Sequence, residues 1–372
     1  MLSFFKSTIN YLRFIFKVKE NSTIIFFSES KYYIDHFEDL VFEIKKNYND
    51  IIYITTDSIE NNYFKKYIYT ILIENKIILE ILFAFIKCKC LIMTVTDLGN
   101  HLKKSKYCKN YVYFFHALSS VTKRYTKEAF KNYDIILTNG NYQKRELEVL
   151  EKKYSHPKKK IFNTGYFFLD KLSKKANLEK KINNCVLFAP SWSYKKNLFE
   201  NYSLKIIDKL LNNNFSVILR PHPEHYKRSI NTINSIKKKF KNDVNFQFDE
   251  KLSNLSSMEK ASILITDNSA IDMEYVLTFK RPVIQIQYID KVHNDFDDIQ
   301  ELVSMENDFK KQFAIKVDIK EINKLTQIIK KIDNNNIGEK INFFKKKYLS
   351  HEGNSYVIAS NFILKEIIKL DI

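Results

Sequence analysis

Glycine and proline are scarce in this sequence, with only 5 of each among 372 residues. Long flexible or extended linkers are therefore not expected, because they depend on these residues. The glycine-based motifs GxGxxG, the P-loop and GxSxG do not occur, and neither does the zinc motif HExxH. These absences exclude the common signatures of dinucleotide binding, P-loop nucleotide hydrolysis, serine hydrolysis and zinc proteolysis.

Cysteines are few and poorly placed for a disulfide or a zinc site. They are Cys88, Cys90, Cys108 and Cys185. Cys88 and Cys90 lie two residues apart in an apolar run, which is too close for the usual disulfide or zinc pair. The sequence predicts free, buried thiols in a reducing cytosol. His222 and His225 are three residues apart, but Pro223 breaks a helix there, so we predict no metal site.

Acidic residues are fewer than basic ones: 43 Asp and Glu against 61 Lys and Arg, a formal net charge of +18. Such an excess favours anionic partners, which are phosphates, nucleic acid or an acidic membrane surface. Nucleic acid is the weaker candidate, because the sequence has no zinc-finger spacing, no recognisable RNA-binding motif and no arginine stripe. We therefore predict a phosphate-bearing substrate, an anionic membrane surface, and no nucleic acid.

Long uninterrupted apolar runs are also missing. Residues 1–18 are rich in Phe, Leu and Ile but contain Lys6, Arg13 and Lys17, too much charge for a transmembrane helix. No small-residue cleavage site follows, so a signal peptide is not expected. Two interpretations fit this segment: an amphipathic helix at a membrane surface, or a first helix packed on the domain. Residues 68–86 are also interrupted by charges, and they predict a buried helix.

Apolar strand patterns alternate with helical patterns along the chain. The predicted strands are residues 22–28, 50–55, 91–95, 111–115, 134–138, 161–164, 185–189, 216–219, 244–246, 262–266 and 282–287. The predicted helices are residues 33–47, 61–86, 127–133, 142–153, 204–212, 230–240, 320–332 and 355–370. This alternation predicts an α/β fold with doubly wound parallel sheets.

The strand–helix series restarts once, after a polar, Lys- and Asn-rich stretch at residues 172–184. The chain length and the 45% hydrophobic content also favour two domains with separate cores. We predict an N-terminal helix at 1–20 and two Rossmann-like domains at 21–172 and 173–350. A C-terminal helix at 351–372 can cross back to the first domain.

Polar residues follow several predicted strands, at the edge where open α/β sheets bind ligands. His116 follows the strand at 111–115, and its neutral imidazole can take a proton from a hydroxyl near pH 7. Ser119, Lys123 and Arg124 come next and can face an anionic acceptor. The alternatives are a histidine that hydrogen-bonds its own loop, and basic residues on a solvated face.

Two further clusters follow strands of the second half. Arg220 and His222 alternate with prolines, which fix the backbone φ angle and reduce loop entropy. A rigid Arg/His pair suits a diphosphate; the alternative is a rigid turn with an exposed arginine. Ser191 follows the strand at 185–189 and can offer its hydroxyl to a phosphate or nucleotide.

The stretch at 263–275 combines a buried strand, a polar turn and a helix. Its turn contains Asp267, Asn268 and Ser269, residue types that cap helix N-termini. The unpaired N–H groups at such a helix start suit a phosphate. Glu274 lies inside the helix, within reach of a ligand's next polar group. The alternative is an ordinary capped helix of an α/β sheet.

Several segments occur in a distinctive order. They are FHALSS, YDIILTNGNYQKREL, FNTGYFFLDKL, VLFAPSW, VILRPHP, LITDNSAIDMEYVLTFKRPVI and, near the C-terminus, HEGNSYVIAS. Together they resemble the CDP-glycerol glycerophosphotransferase family of teichoic-acid synthesis. The resemblance implies a GT-B fold, in which two Rossmann-like domains face a cleft, the N-terminal one serves the acceptor and the C-terminal one binds the nucleotide donor. It also implies an enzyme that needs no metal and no cofactor.

The resemblance assigns roles to particular residues. His116 is the candidate base, and Arg220 and His222 bind the donor diphosphate. Glu274, with Ser191, holds the ribose and nucleotide. The turn that binds phosphate comprises Thr266, Asp267, Asn268 and Ser269. The implied reaction is an in-line transfer of a polyol phosphate from a CDP-linked donor to an acceptor hydroxyl.

The sequence departs from the family pattern in three motifs. Phe115 and Ala117 flank His116, where the family typically has Trp-His-Gly. Phe167 and Phe168 follow Gly165-Tyr166, where the family often has Pro-Arg, and Ser193 occupies another position that is often arginine. The loss of two arginines from a phosphate-handling site leaves the donor open between CDP-glycerol, another CDP-polyol and a nucleotide sugar.

The sequence therefore predicts a transferase that moves glycerol phosphate or a related polyol phosphate from a CDP-linked donor to a membrane- or lipid-linked hydroxyl. Its product is a cell-surface polymer, and its predicted location is cytoplasmic, peripheral at the inner face of the membrane. The alternatives are a GT-B glycosyltransferase for capsule or lipopolysaccharide, a sugar-nucleotide epimerase, and a non-catalytic scaffold on the same fold.

Overall fold

The computed structural model describes residues 2–96, 98–100, 102–193, 197–267, 269–288, 304–332 and 337–371. It divides into two compact units. The first comprises Met1–Lys171 and Tyr348–Ile372, and the second comprises Leu172–Val292 and Val303–Lys347. Each unit is an α/β structure built on one parallel sheet.

The first unit, over the described ranges, has a seven-stranded sheet in the order β3-β2-β1-β4-β5-β6-β7. Its strands are β1 (Ile24–Ser28), β2 (Ile51–Thr55), β3 (Tyr69–Leu72), β4 (Cys90–Met93), β5 (Tyr111–Phe114), β6 (Ile135–Thr138) and β7 (Lys160–Asn163). Neighbouring strands pair in parallel, as β1 does with β2 and β4. Strand order reverses between β1 and β4, which makes this the switch point of a doubly wound sheet.

Helices cover both faces of this sheet. They are α1 (Leu2–Lys17), α2 (Ile34–Asn47), α3 (Ser58–Phe64), α4 (Lys76–Phe85), α5 (Val121–Arg124), α6 (Asn141–Lys153), α7 (Phe167–Lys175), which contains the boundary between the units, and α16 (Ser355–Phe362). Alternate strand residues enter different cores: Phe27 and Tyr113 join one, Phe26 and Phe114 the other. This follows from the two-residue period of a strand. Because both faces of the sheet are buried at its centre, the central strands are continuous apolar runs.

The C-terminal segment packs on the first unit. Phe362 and Ile363 share a hydrophobic cluster with Phe37 and Val41 of α2. Asp170 anchors the start of α16: its carboxylate accepts hydrogen bonds from the N–H of Gly353 at 2.7 Å, and from the N–H and hydroxyl of Ser355 at 2.8 and 2.5 Å.

The second unit has a sheet whose six described strands run β10-β9-β8-β11-β12-β13. They are β8 (Cys185–Phe188), β9 (Ser216–Leu219), β10 (Phe246–Phe248), β11 (Ile263–Thr266), β12 (Val283–Gln287) and β13 (Ala314–Asp318). The helices are α8 (Leu198–Leu211), α9 (Pro223–Arg228), α10 (Ile230–Lys239), α11 (Leu255–Lys260), α12 (Ile271–Phe279), α13 (Met305–Phe313), α14 (Leu325–Lys330) and α15 (Gly338–Tyr348). Strand order reverses between β8 and β11, the switch point of this sheet.

The prediction of one continuous helix at 61–86 is wrong in its middle part. The structure instead has α3, the edge strand β3 and then α4. Tyr69–Leu72 pairs in parallel with β2, and its Thr and Ile are β-branched residues that favour strands. Helix α4 is also not fully buried, because it exposes Ile77, Ile81 and Phe85.

Other local predictions also need correction. Residues 127–133 form successive turns with i to i+3 hydrogen bonds, such as that from the Ala129 N–H to the Thr126 carbonyl, in place of the predicted helix. These turns bring Phe130 and Tyr133 onto Tyr113, with ring centroids 4.8 and 5.2 Å apart. The strand predicted at 244–246 lies at Phe246–Phe248, and the edge strand β13 was not predicted.

The cysteine prediction is confirmed as far as burial and bonding are concerned. All four thiols are free and buried. Cys88 and Cys108 come closest, with their sulfur atoms 3.5 Å apart.

Candidate functional site

At the carboxyl edge of the first sheet, the neighbouring strands β4 and β5 place Thr94 beside His116. Thr94 directly follows β4, and His116 follows β5 by two residues. The Thr94 Oγ1 atom lies 2.6 Å from His116 Nδ1 and donates a hydrogen bond to the Phe114 carbonyl at 2.9 Å. A ligand at the carboxyl edge of this sheet would meet the imidazole here.

Aromatic rings surround the His116 imidazole. Tyr33 packs edge-on at a centroid distance of 5.1 Å, and the ring of His36 lies 6.1 Å away. His36 in turn contacts Phe168 at 4.7 Å. Phe168 is one of the two phenylalanines that follow Gly165-Tyr166, so the His36 ring meets an apolar side chain here.

This environment keeps both histidines neutral. The pKa of His116 is lowered to about 4, mainly by burial. A hydrogen bond to the Thr94 backbone raises this pKa, and the positive charge of Arg124 lowers it. Burial likewise lowers the pKa of His36 to about 3, with additional repulsion from His116. At neutral pH an unprotonated ring nitrogen is therefore present, as a general base requires.

The loop that carries His116, residues 115–120, is held from several sides. Tyr166 donates to the His116 carbonyl at 3.1 Å, and Asn139 donates to the Ala117 carbonyl at 3.0 Å. The buried Gln143 donates to the Ser119 carbonyl at 2.9 Å. Each backbone contact restricts the loop, so the histidine is presented on a rigid support.

The predicted acceptor-side residues have different exposures. Ser119 is fully buried, and its hydroxyl has no hydrogen-bond partner among the described residues. It therefore does not lie on an accessible surface. Lys123 is exposed at the end of α5, while Arg124 is partly exposed and near enough to His116 to affect its pKa.

In the second unit, two hydrogen bonds connect the loops at the switch point. Asp267, after β11, accepts from the N–H of Ser191, after β8, at 2.7 Å. Thr266 donates its hydroxyl to the Ala189 carbonyl at 2.7 Å. The side chains of Thr266 and Asp267 thus fix the two loops at the edge where a ligand would bind. Both residues were predicted to bind phosphate, but their side chains already make these hydrogen bonds within the protein.

The helix start after this turn differs from the prediction. Helix α12 begins at Ile271, and Ala270 takes the N-cap position without a side-chain cap. The caps predicted from Asp267 and Ser269 are therefore wrong, because Asp267 is turned to Ser191. Asn268 lies outside the described residues. Glu274 is buried within the helix.

Arg220 is held by its own unit. Its guanidinium pairs with the buried carboxylate of Asp249 at 2.6 Å and donates to the Leu252 carbonyl at 2.9 Å. The pair fixes the loop after β10, because separating it would leave a buried charge without compensation. Any contact from this arginine to a diphosphate would use its remaining N–H groups.

His222 has a local structural role as well. Its Nδ1 accepts a hydrogen bond from the Glu224 N–H at 3.2 Å, so it caps the N-terminus of α9. Its ring lies 6.2 Å from that of Trp192. This hydrogen bond restricts the orientation of the ring. The predicted donor-side residues thus gather at the carboxyl edge of the second sheet, after β8, β9 and β11.

Comparison with models of protein families shows which family this chain belongs to. The sequence model of the family described as CDP-glycerol:poly(glycerophosphate) glycerophosphotransferase matches residues 9–365. This chain belongs to that family. Family membership supports a role in polyol-phosphate transfer. No curated protein matches the chain in sequence.

Solved structures give the same fold for this glycerophosphotransferase family member. The wall teichoic acid polymerase TagF, in a variant soaked with CDPG, is 17% identical, with a TM-score of 0.64 over 99% of each chain. The MnaA–UDP complex from S. aureus is 10% identical, with a TM-score of 0.61 over 92% of this chain and 96% of that one. The UDP-GlcNAc 2-epimerase of Methanocaldococcus jannaschii is 14% identical, with a TM-score of 0.57 over 91% and 98%. The two units are those of the GT-B fold.

Thr94 and His36 contact His116 in the candidate site and were not predicted from the sequence. Neither belongs to a recognisable motif. Both come shortly after strands that flank the switch point, Thr94 after β4 and His36 after β1. Their position after these strands is the one feature that could identify them as candidate site residues. It can be used only when the order of the strands in the sheet is known.

Proposed function

We propose that this protein transfers glycerol phosphate, or a related polyol phosphate, from a CDP-linked donor to a hydroxyl of a membrane- or lipid-linked acceptor in cell-surface polymer synthesis. The observation that carries the proposal is His116, held neutral and rigid at the carboxyl edge of one sheet in a chain that belongs to the glycerophosphotransferase family. TagF with CDPG provides the analogy for the donor.

The proposed step is a single in-line displacement. The acceptor oxygen attacks the phosphorus that bears the glycerol, and a new P–O bond forms as the bond to CMP breaks. His116 takes the hydroxyl proton, so that the attacking group is an alkoxide in the transition state. CMP leaves with the bonding electron pair. No electrons are gained or lost, and the proposed reaction needs no metal or cofactor, so it should continue in the presence of EDTA.

On the donor side, we assign the diphosphate to His222, Ser269 and the free N–H groups of Arg220. Charge-assisted hydrogen bonds from these groups would stabilise the leaving CMP. Glu274 and Ser191 are assigned to the ribose and nucleotide. Thr266 and Asp267 act mainly by fixing the two loops, as their hydrogen bonds indicate.

Thermal unfolding with candidate donors tests the donor assignment. A ligand that binds only the folded protein raises Tm by mass action. We expect a shift with CDP-glycerol that exceeds the shift with UDP- or GDP-sugars. A shift with a nucleotide sugar alone would make the protein a glycosyltransferase, and no shift with any nucleotide would favour the scaffold.

The variant His222→Asn sharpens this test. Asparagine caps a helix as well as histidine does in this role, so α9 should form while the imidazole contact to phosphate is lost. We expect CDP-glycerol to bind about tenfold more weakly, as loss of a charge-assisted hydrogen bond implies. Lys239→Ala is the matched control, because Lys239 pairs with Asp208 on the surface of the same unit.

We also propose that the first unit lies on the inner face of an anionic membrane. Among the described residues, no helix is long and apolar enough to cross a bilayer. Helix α1 nevertheless exposes six large apolar side chains: Phe4, Phe5, Ile9, Leu12, Ile15 and Phe16. The combination of an apolar helix face and flanking cations is typical of interfacial helices.

Helix α4 extends this surface. Phe14 of α1 and Leu82 of α4 enter the same core cluster, so both helices cover the same face of the sheet. Their outward sides include the apolar residues of α1 and, on α4, Ile77, Ile81 and Phe85. We call these nine residues the apolar face. Lys6 and Arg13 of α1 are exposed beside it and would meet lipid phosphates.

A further inference from the structure

The buried hydroxyl of Thr94 decides where the proton of the His116 imidazole sits. A threonine hydroxyl has one proton and two acceptor positions. In this structure it donates to the Phe114 carbonyl at 2.9 Å, while His116 Nδ1 lies 2.6 Å from the same oxygen. If the hydroxyl proton turned to Nδ1, two acceptor oxygens would face each other at 2.9 Å. The arrangement that satisfies both contacts is Nδ1–H to Oγ1, and O–H to the carbonyl.

We propose that Thr94 is a positioning residue that fixes His116 as the Nδ1–H tautomer and leaves Nε2 with its lone pair free to accept the proton of the acceptor hydroxyl. The inference rests on the proposed role of His116 as base. Thr94 acts through His116 and is assigned no contact with a substrate. In a neutral imidazole, the hydrogen bond of one nitrogen determines which nitrogen remains basic.

The position of Thr94 suits this role. It is buried at the end of β4, beside β5, and the carbonyl it bonds belongs to the last residue of β5. The two hydrogen bonds that connect His116 to Thr94 and Thr94 to Phe114 therefore end at a backbone carbonyl of the rigid sheet and not at a mobile side chain. A neutral hydroxyl also orients the ring without adding a negative charge, so it favours the imidazolium form less than a carboxylate partner would.

The test combines a tautomer measurement with kinetics. Nitrogen-15 NMR of histidine-labelled protein distinguishes protonated from unprotonated ring nitrogens, and His116→Gln identifies the His116 signals. We expect the Nδ1–H form in the wild type and in Thr94→Ser, which keeps the hydroxyl. In Thr94→Val, which has the same shape but no hydroxyl, we expect a shift to the Nε2–H form and a fall in kcat of about 10- to 100-fold, with KM little changed. Thr138→Val, at the end of β6, is the matched control and should behave as wild type.

The outcomes separate this inference from the proposed function. An Nε2–H His116 in the wild type would overturn the inference, even if Thr94→Val failed to fold. So would an unchanged tautomer in Thr94→Val, or an altered tautomer with unaffected turnover. The proposed function fails by a different result: wild-type turnover in His116→Gln with CDP-glycerol, which leaves the NMR result for the tautomer unaffected.

Discussion

At the scale of single residues, burial displaces pKa values in the first unit in two directions. The imidazoles of His36 and His116 become harder to protonate, because their charged form is desolvated. The carboxyl of Glu60 becomes harder to deprotonate for the same reason, and its pKa rises to about 7. The direction of the pKa shift depends only on whether the protonated or the deprotonated form of the group carries the charge.

The depressed pKa of His116 predicts the acid side of the pH profile. The histidine loses its basic form only as the pH falls towards about 4, well below its ordinary 6.5. The acidic limb of kcat/KM, which reports groups in the free enzyme, should therefore lie near pH 4. Initial rates with CDP-glycerol at saturating acceptor, across a pH series, measure it. A limb at 6.5 that disappears in His116→Gln would show that His116 titrates as an exposed imidazole.

Glu60 predicts a pH-dependent stability. It is fully buried and accepts a hydrogen bond from the Tyr53 hydroxyl at 2.8 Å. Between pH 4.5 and about 7 the folded state holds a proton that the unfolded state releases, so this carboxyl lowers the free energy of unfolding as the pH rises through that window. Glu60→Gln removes the titration. Its Tm relative to wild type should rise from pH 4.5 to 7.

The control for this measurement is Glu148→Gln, an exposed carboxyl on α6 with a side chain 53% exposed. Its Tm relative to wild type should not change over the same window. If Glu60→Gln followed the control, the carboxyl of Glu60 would titrate at an ordinary pKa despite its burial.

At the scale of secondary-structure elements, the attachment of the C-terminal segment depends on small residues. Gly165 has a φ angle of +94°, and a Cβ atom there would lie 2.2 Å from the Ser350 carbonyl oxygen. Glycine is therefore required at this position for two reasons: its backbone conformation and the close approach of the C-terminal segment. Gly140 meets the same segment, since a Cβ atom would lie 1.9 Å from the Tyr348 carbonyl oxygen.

Asp170 predicts how firmly α16 is held. Asp170→Ala removes the acceptor of three hydrogen bonds, which come from the partly buried Gly353 N–H and from the N–H and hydroxyl of the buried Ser355. We expect a loss of about 3 kcal/mol of unfolding free energy, and cleavage of the C-terminal segment by a protease at concentrations that spare the wild type. Urea unfolding and limited proteolysis measure the two effects. Asp371→Asn, exposed near the C-terminus, is the control. Equal protease resistance in Asp170→Ala and wild type would show that the apolar contacts alone hold α16.

At the scale of the whole molecule, the net charge of +18 and the apolar face both predict binding to anionic membranes. Phe5→Ser, Phe16→Ser and Phe85→Ser together should weaken binding to phosphatidylglycerol-containing vesicles by at least tenfold. Burial of each phenylalanine contributes about 1.5–3 kcal/mol when complete, and insertion at an interface realises part of it. Co-sedimentation measures the binding.

The matched control replaces two equally exposed apolar residues of the second unit, Val244 and Phe343, by serine. Its vesicle binding should equal that of the wild type. Added salt should weaken binding of the wild type, since Lys6 and Arg13 contribute by charge. If the control variant lost binding as strongly as the apolar-face variant, the surface of α1 and α4 would not be the specific contact. If Phe85→Ser alone had no effect, α4 would lie outside the contact.

Much of the architecture could be predicted from sequence. Buried parallel strands are short apolar runs, so the central strands from β1 to β12 lie within a few residues of their predicted positions. The edge strands β3 and β13 were missed, because their half-exposed patterns resemble helix or loop. Likewise, Phe130 and Tyr133 gave an apolar spacing that fits a helix, but both rings are placed by turns around Tyr113.

The family can be recognised from the amino-acid sequence alone, because its motifs are local and ordered. The same reasoning places His116, Arg220 and His222 at strand ends. The tertiary structure decided what these side chains meet. Thr94 reaches His116 only because β4 lies beside β5, and Arg220 pairs with Asp249 only because β10 lies beside β9. Strand order is set by long-range packing, which local spacing does not encode, so the partners of the motif residues emerge only in the folded chain.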